Sequence, residues 1–119
     1  MEGKAYSQHW PLIRQVLQDH IDSNKVRYSQ HAGERMEERG ITKKMIEFVL
    51  YHNDPKEMHE AKRYPFGEDP FTNDDPVLTV VGEYNHRKLA VGLAVKRRSQ
   101  GILFTVVTVM FPEHGRHVQ

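Results

Sequence analysis

Residues 77–111 read VLTVVGEY-NHR-KLAVGLAVK-RRSQG-ILFTVVTVMF, and this stretch decides the fold class. It holds three alternating apolar runs, Val77 to Tyr84, Lys88 to Lys96 and Ile102 to Phe111. Alternation is the period of a half-buried strand. The links between the runs, Asn85-His86-Arg87 and Arg97 to Gly101, are short and polar. Strands joined this closely must be antiparallel hairpins, because a parallel crossover needs a dozen or more residues. On the middle run, Leu89, Val91, Leu93 and Val95 share one face and suit a core. The other face carries Ala90, Gly92 and Ala94 between Lys88 and Lys96. Such a face is either a shallow trough with cationic ends, suited to an extended anion, or a seat for a further layer of packing.

Upstream, the period weakens. Residues 65–76, PFGEDPFTNDDP, form a turn-rich acidic loop, and Met58, Glu60, Lys62 and Tyr64 alternate as an edge strand would. Before Pro55 the period is helical. Leu12, Ile13, Val16, Leu17 and His20 or Ile21 predict a helix over about Gln8 to Asp22, with Ser7 as N-cap and Pro11 in the first turn. Val26 to Tyr28 reads as an extended link. A second helix is expected from Ser29 to Arg39, closed by Gly40. A third follows, capped by Thr42, with Met45, Ile46, Val49 and Leu50 buried and a stop at Asn53-Asp54-Pro55. The expected fold is α+β, with N-terminal helices packed on one face of a three- to four-stranded antiparallel sheet.

The 119 residues suit one domain, with residues 1–27 as a helical extension, 28–112 as its core and 113–119 as a tail. There is no Cys, which removes disulfide scaffolds, thiolate nucleophiles and Cys-rich zinc folds, and a cytoplasmic location fits. No apolar run approaches the ~20 residues of a membrane helix, so no membrane partner is expected. Residues Met1 to Trp10 lack a signal-peptide layout.

Lys and Arg number 17 against 16 Asp and Glu, but the balance is a cancellation. Residues 54–76 are rich in carboxylates, whereas residues 84–112 carry Arg87, Lys88, Lys96, Arg97 and Arg98 and no acid. A basic face of that kind can attract phosphate locally, and ordinary surface charge at turns reads the same way.

The most informative constellation is Ser29-Gln30-His31-Ala32-Gly33-Glu34-Arg35-Met36-Glu37-Glu38-Arg39-Gly40-Ile41-Thr42. On a helix His31, Arg35 and Arg39 form a stripe beside the apolar pair Ala32 and Met36. Arginine at such a border offers a rigid fork for phosphate or carboxylate, and a histidine there can exchange protons near neutral pH. The same arginines could instead pair with Glu34, Glu38 or a loop carboxylate.

This string resembles the signature S-x-H-A-x-x-R-M-x-x-R-G-I-[ST] of a bacterial and phage family of small domains of unknown function. That family tends to end in a Val/Thr-rich strand followed by Tyr-Pro. Here the strand is Val106 to Met110, and Phe111 stands at the Tyr position before Pro112, without a hydroxyl to act as acid or base. The resemblance covers about residues 28–112. The family has been grouped with the barnase–EndoU–colicin–RelE-like fold of small nucleases, which implies a metal-independent ribonuclease or toxin-like activity.

RNA cleavage through the 2′-OH needs a base, an acid and cations for the phosphate. His31 is the candidate acid or base, and Arg35 and Arg39 are candidates for phosphate stabilisation. Thr108 is placed with them on the sheet side of a cleft. Lys88, Lys96, Arg97 and Arg98 are candidate nucleic-acid contacts, with His86 on a hairpin turn as a reserve acid or base. No cofactor is expected, since a P-loop and a Rossmann fingerprint are absent. Metal ligation is the weaker alternative: His114 and His117 lie three apart, and His52 and His59 flank the turn at Pro55, without a compact zinc motif. RNA is one partner class. A protein antitoxin or other inhibitor is another, and a non-catalytic protein-binding module with the same fold is the alternative function. Phe66 and Phe71 in the acidic loop are expected to tuck back onto the sheet; alternatively they are partner anchors, or the loop covers the basic trough.

Overall fold

The computed structural model describes residues 2–59, 62, 75–99 and 101–111, with side chains from Trp10 onward. The elements run α1 (Glu2–Asp22), β1 (Arg27–Tyr28), α2 (Gln30–Arg39), α3 (Lys43–His52), β2 (Pro55–His59), β3 (Val77–Tyr84), β4 (Arg87–Arg98) and β5 (Gly101–Met110). The described residues are of α+β class, with three helices and an open sheet.

The sheet corrects the expected one. Among the described residues it has five strands in the order β1-β5-β4-β3-β2. β1 pairs parallel to β5, with Arg27 opposite Thr105 and Tyr28 opposite Val106, so the sheet is mixed and not purely antiparallel. A two-residue strand is too short to show a period, and its partner lies far along the chain, so it reads locally as a link. The edge strand β2 starts at Pro55, earlier than its alternation suggested, and pairs antiparallel with β3. Proline is tolerated at the start of an edge strand. The β3–β4 turn is shorter than expected. Asn85 and His86 both have positive φ, 52° and 67°, as a two-residue hairpin turn of type I′ requires, so Arg87 belongs to β4 opposite Tyr84. β4 also runs on through Arg97 and Arg98.

Helix ends follow their chemistry. α1 begins well before the expected Gln8, so Ser7 is not its cap and Pro11 lies inside it, where it removes one backbone donor. It closes in a Schellman motif: Asn24 is left-handed, Lys25 N–H donates to the His20 carbonyl (2.8 Å) and Asn24 N–H to Ile21 (3.1 Å). Ser29 caps α2 by accepting from Ala32 N–H, and Gly40 closes it at φ 65°. At α3, Thr42 accepts from Met45 N–H, while the Met45 thioether accepts from Thr42 N–H at 3.4 Å. This is a capping box with sulfur in the place of a carboxylate.

All three helices pack on the face of Leu89, Val91, Leu93 and Val95. One core joins Trp10, Ile13 and Leu17 of α1, Ala32 of α2, and Ile46, Val49 and Leu50 of α3 to that face. Leu12, expected in the stripe, is 64% exposed. α1 is also tied by polar contacts. Trp10 Nε1 (2.8 Å) and Arg14 (2.9 Å) donate to Asp54, and Gln18 donates to the Tyr51 carbonyl at 3.0 Å. α1 thereby supplies a donor to the carbonyl end of α3.

The opposite sheet face is not an open trough. Ala90 is 2% and Ala94 6% exposed, Gly92 is buried, and Val77 packs with Ala94 and Val107 in a second small cluster. The small residues thus receive packing. Apart from Asp75 and Pro76, the acidic loop 65–76 lies outside the described residues, as does the tail with His114 and His117. No described helix is long and apolar enough to cross a membrane.

Leu17 is fully buried between α1 and the sheet. Leu17→Ala is expected to cost about 2–5 kcal/mol, read as a lower urea midpoint at unchanged m-value.

Candidate functional site

The conspicuous helix α2 lies along β5, and its two ends are fastened to the strand's outer edge. Ser29 N–H donates to the Val106 carbonyl at 2.9 Å, continuing the β1 ladder. Ser29 Oγ donates to the Val107 carbonyl at 3.4 Å, and Arg39 donates to the Val109 carbonyl at 2.7 Å. β1 covers only residues 105 and 106 of β5, so these side chains satisfy carbonyls that the ladder leaves open.

Between those anchors, Ala32 is buried and Met36 packs against the core. His31 and Arg35 sit at the margin of that face, both half-buried, and His31 Nδ1 is buried. Arg35 pairs with Glu38 at 2.5 Å, one helical turn on. The stripe of His31, Arg35 and Arg39 therefore exists, with each arginine engaged.

Thr108 stands apart from it. Thr108 is opposite Gly92, and directly opposed residues share a face, so its side chain leaves the sheet away from the helices. It is 7% exposed. A bulge beside Gly92 and Leu93 gives β5 one extra residue, which puts Thr108 and Val107 on the same side.

The basic residues of β4 form two groups. Lys88 lies opposite Glu83, beside the turn that carries His86. Lys96, Arg97 and Arg98 are exposed at the far end of the strand. Lys88 and Lys96 are eight positions apart on β4, roughly 26 Å at ~3.3 Å per residue. They do not form one patch.

A further basic residue, outside the expected contacts, joins the end of β5. Arg87 is exposed, and its guanidinium lies over the Phe111 ring, 3.5 Å from the centroid. Phe111 is half-buried and also packs against the core. Arg39 and Arg87 are thus both fixed at the C-terminal end of β5, one on the Val109 carbonyl and one on the ring two residues further. The signal for this was the Asn85-His86 turn: a two-residue loop puts Arg87 in the strand, beside the last residues of β5.

Among the described residues no three His, Asp or Glu gather as a metal site. His59 faces Glu57 at 3.2 Å, and His52 packs against Phe48.

Among the described residues, one ionisable group is strongly displaced. Tyr28 O–H donates to Glu47 at 2.8 Å. Burial, then that hydrogen bond and the carboxylate's charge, push the Tyr28 hydroxyl far above the ordinary tyrosine value. The bond ties β1 to α3.

The chain matches the family model described as "Domain of unknown function (DUF4258)" over residues 28–111, and it belongs to that family. The matched region runs from β1 to the end of β5 and leaves out α1. No curated protein and no solved structure matches the chain.

Because the folded-state value of Tyr28 is raised, its contribution to stability is complete below the unfolded value of ~10 and is lost as pH rises further. The urea midpoint is expected to fall between about pH 8 and pH 11. Tyr28→Phe is expected to start lower at pH 8 and to fall less across that interval.

Proposed function

We propose that this domain acts on RNA as a metal-independent endoribonuclease of the toxin-like class, with the edge formed by α2 and the end of β5 as its phosphate-binding part. The observation that carries this reading is the pair of fixed guanidinium groups. Arg39 is anchored at 2.7 Å to the Val109 carbonyl and Arg87 lies at 3.5 Å over Phe111, and both residues are exposed. A guanidinium held in place loses less freedom on meeting a phosphate than a mobile side chain does. The order of helices before sheet, with the helices on one face, supports the likeness to the barnase–EndoU–colicin–RelE-like nucleases.

In this mechanism the RNA 2′-OH attacks the adjacent phosphorus and the 5′-oxygen leaves. His31 takes the 2′-OH proton as base, and solvent water supplies the proton to the leaving 5′-oxygen. The arginines meet the charge that builds on the phosphate in the transition state. Thr108 takes no part, since it lies on the other face of the sheet, and Phe111 offers no proton. Lys88 and His86 adjoin the Arg87 end and extend the contact surface, while Lys96, Arg97 and Arg98 belong to a separate one.

A specific observation favours the non-catalytic protein-binding module. Arg35 is paired with Glu38 and Arg39 bonds the backbone of β5, so the motif has a structural task of its own. The two readings separate on Arg87 and His31.

Purified wild-type, His31→Ala and Arg87→Ala proteins are to be incubated with total RNA in chelator, and cut ends mapped. His31→Ala is expected to lower cleavage by roughly 10²–10⁴-fold at unchanged circular dichroism. Arg87→Ala is expected to weaken RNA binding and to reduce the salt slope by about one unit. Intact RNA with wild-type protein, together with one tight protein partner, establishes the module instead.

A further inference from the structure

α3 buries Ile46, Val49 and Leu50, and a second stripe on the same helix faces outward. Lys44, Phe48 and His52 recur at a spacing of four. Phe48 is 43% exposed. Its ring lies 4.6 Å from His52 and 5.3 Å, edge-on, from Tyr84, while Tyr51 lies 5.2 Å from His52. Four aromatic rings therefore run continuously from the β3 end of the sheet onto the helix surface.

This strip opens into a groove of about 480 Å³ between the end of α1 and α3. Its lining includes Ile21, Lys43, Lys44, Phe48, Tyr51 and His52. The single carboxylate in the lining, Glu47, accepts from the Tyr28 hydroxyl and pairs with Lys43 at 3.8 Å. Lys44 is exposed and makes no ion pair among the described residues. The groove thus combines exposed aromatic rings, a neutralised carboxylate and an uncommitted cation.

We infer that this groove seats an unpaired nucleobase of single-stranded RNA, stacked on Phe48 and its aromatic neighbours, with Lys44 on an adjoining phosphate. The inference rests on RNA being the partner and adds a subsite that neither the α2 motif nor the β5 edge contains. Aromatic platforms bind single strands because every base offers a π-face, whereas a cation next to the platform recognises the backbone. In a duplex the base faces are stacked away, so the groove selects unpaired RNA. The row of rings beside one cation matches a base and its phosphate, whereas an acidic peptide would use Lys44 alone.

The test is fluorescence anisotropy at low salt, with a labelled single-stranded RNA 12-mer, the same sequence as a duplex, and a poly-glutamate competitor of equal charge. Wild-type protein is expected to prefer the single strand. Phe48→Leu, which keeps an apolar side chain without a π-face, is expected to weaken single-strand binding by roughly 5- to 100-fold. Phe48→Tyr is expected to restore it. Lys44→Ala is expected to weaken binding several-fold and to flatten its salt dependence. Single-strand binding that survives unchanged in Phe48→Leu and Lys44→Ala overturns the groove and leaves the RNA reading standing. Equal binding of duplex, or equal competition by poly-glutamate, overturns the base seat in favour of a charge-only surface. Absence of any RNA binding by wild-type protein overturns both the groove and the RNA reading.

Discussion

The outer edge of β5 is the constraint on which the rest depends. An antiparallel meander must end somewhere, and its last strand presents unpaired carbonyls to one side. β1 covers that edge at residues 105 and 106 only. Beyond it, the carbonyls of Val107 and Val109 receive Ser29 Oγ and the Arg39 guanidinium. Leaving a buried carbonyl unsatisfied costs about 1–3 kcal/mol, so these contacts decide where α2 can lie. Ser29 acts twice, as N-cap of α2 and as donor to β5, which couples the start of the helix to the register of the strand. Once α2 is fixed, Ala32 and Met36 meet the core and Gly40 turns the chain into α3.

The second constraint comes from outside the family region. α1 precedes residue 28, yet Trp10, Ile13 and Leu17 belong to the same core as α3 and the sheet. Its polar side chains complete that packing. Arg14 and Gln18 reach the carbonyl of Tyr51, and Trp10 and Arg14 share Asp54. The extended residues after α3 cannot supply these donors themselves. Gly82 contributes on the sheet side: a Cβ there would collide with the Asn53 amide, which donates to the Val49 carbonyl in the last turn of α3.

Much of the fold was legible because its signals are local. The caps Ser29, Gly40 and Thr42 and the strand periods of β3, β4 and β5 each depend on a few adjacent residues. β1 was not legible, because two residues carry no period and their meaning lies in Thr105 and Val106. The face of Thr108 was not legible either. One bulged residue beside Gly92 changes which side of β5 a side chain takes, and strict alternation cannot show it. For the site, the edge position of His31, Arg35 and Arg39 followed from helical spacing. That Arg39 would hold a backbone carbonyl did not, since its partner is 70 residues away. The split between Lys88 and Lys96 was present in the strand length all along. The outward stripe of α3 is equally visible at positions 44, 48 and 52, beside the buried one at 46, 49 and 50.

The structural task of Arg39 and its proposed chemical task are compatible, and the reason lies in the guanidinium. It carries five donors in a plane, and the Val109 carbonyl engages one nitrogen. The bond fixes the plane and leaves donors on its other edges. Arg87 is held differently, with its guanidinium carbon 3.5 Å from the centroid of the Phe111 ring. Phenylalanine suits that role, because it presents a π-face and no hydroxyl to bridge to the guanidinium. Lysine can also donate to a carbonyl or lie over a ring, but its rotating ammonium lacks the planar fork that keeps the remaining donors directed. Phe111 therefore brings no hydroxyl to the end of β5, and its ring lies under the Arg87 guanidinium. In the proposed mechanism, proton transfer falls to His31 and the last residues of β5 hold charge in place.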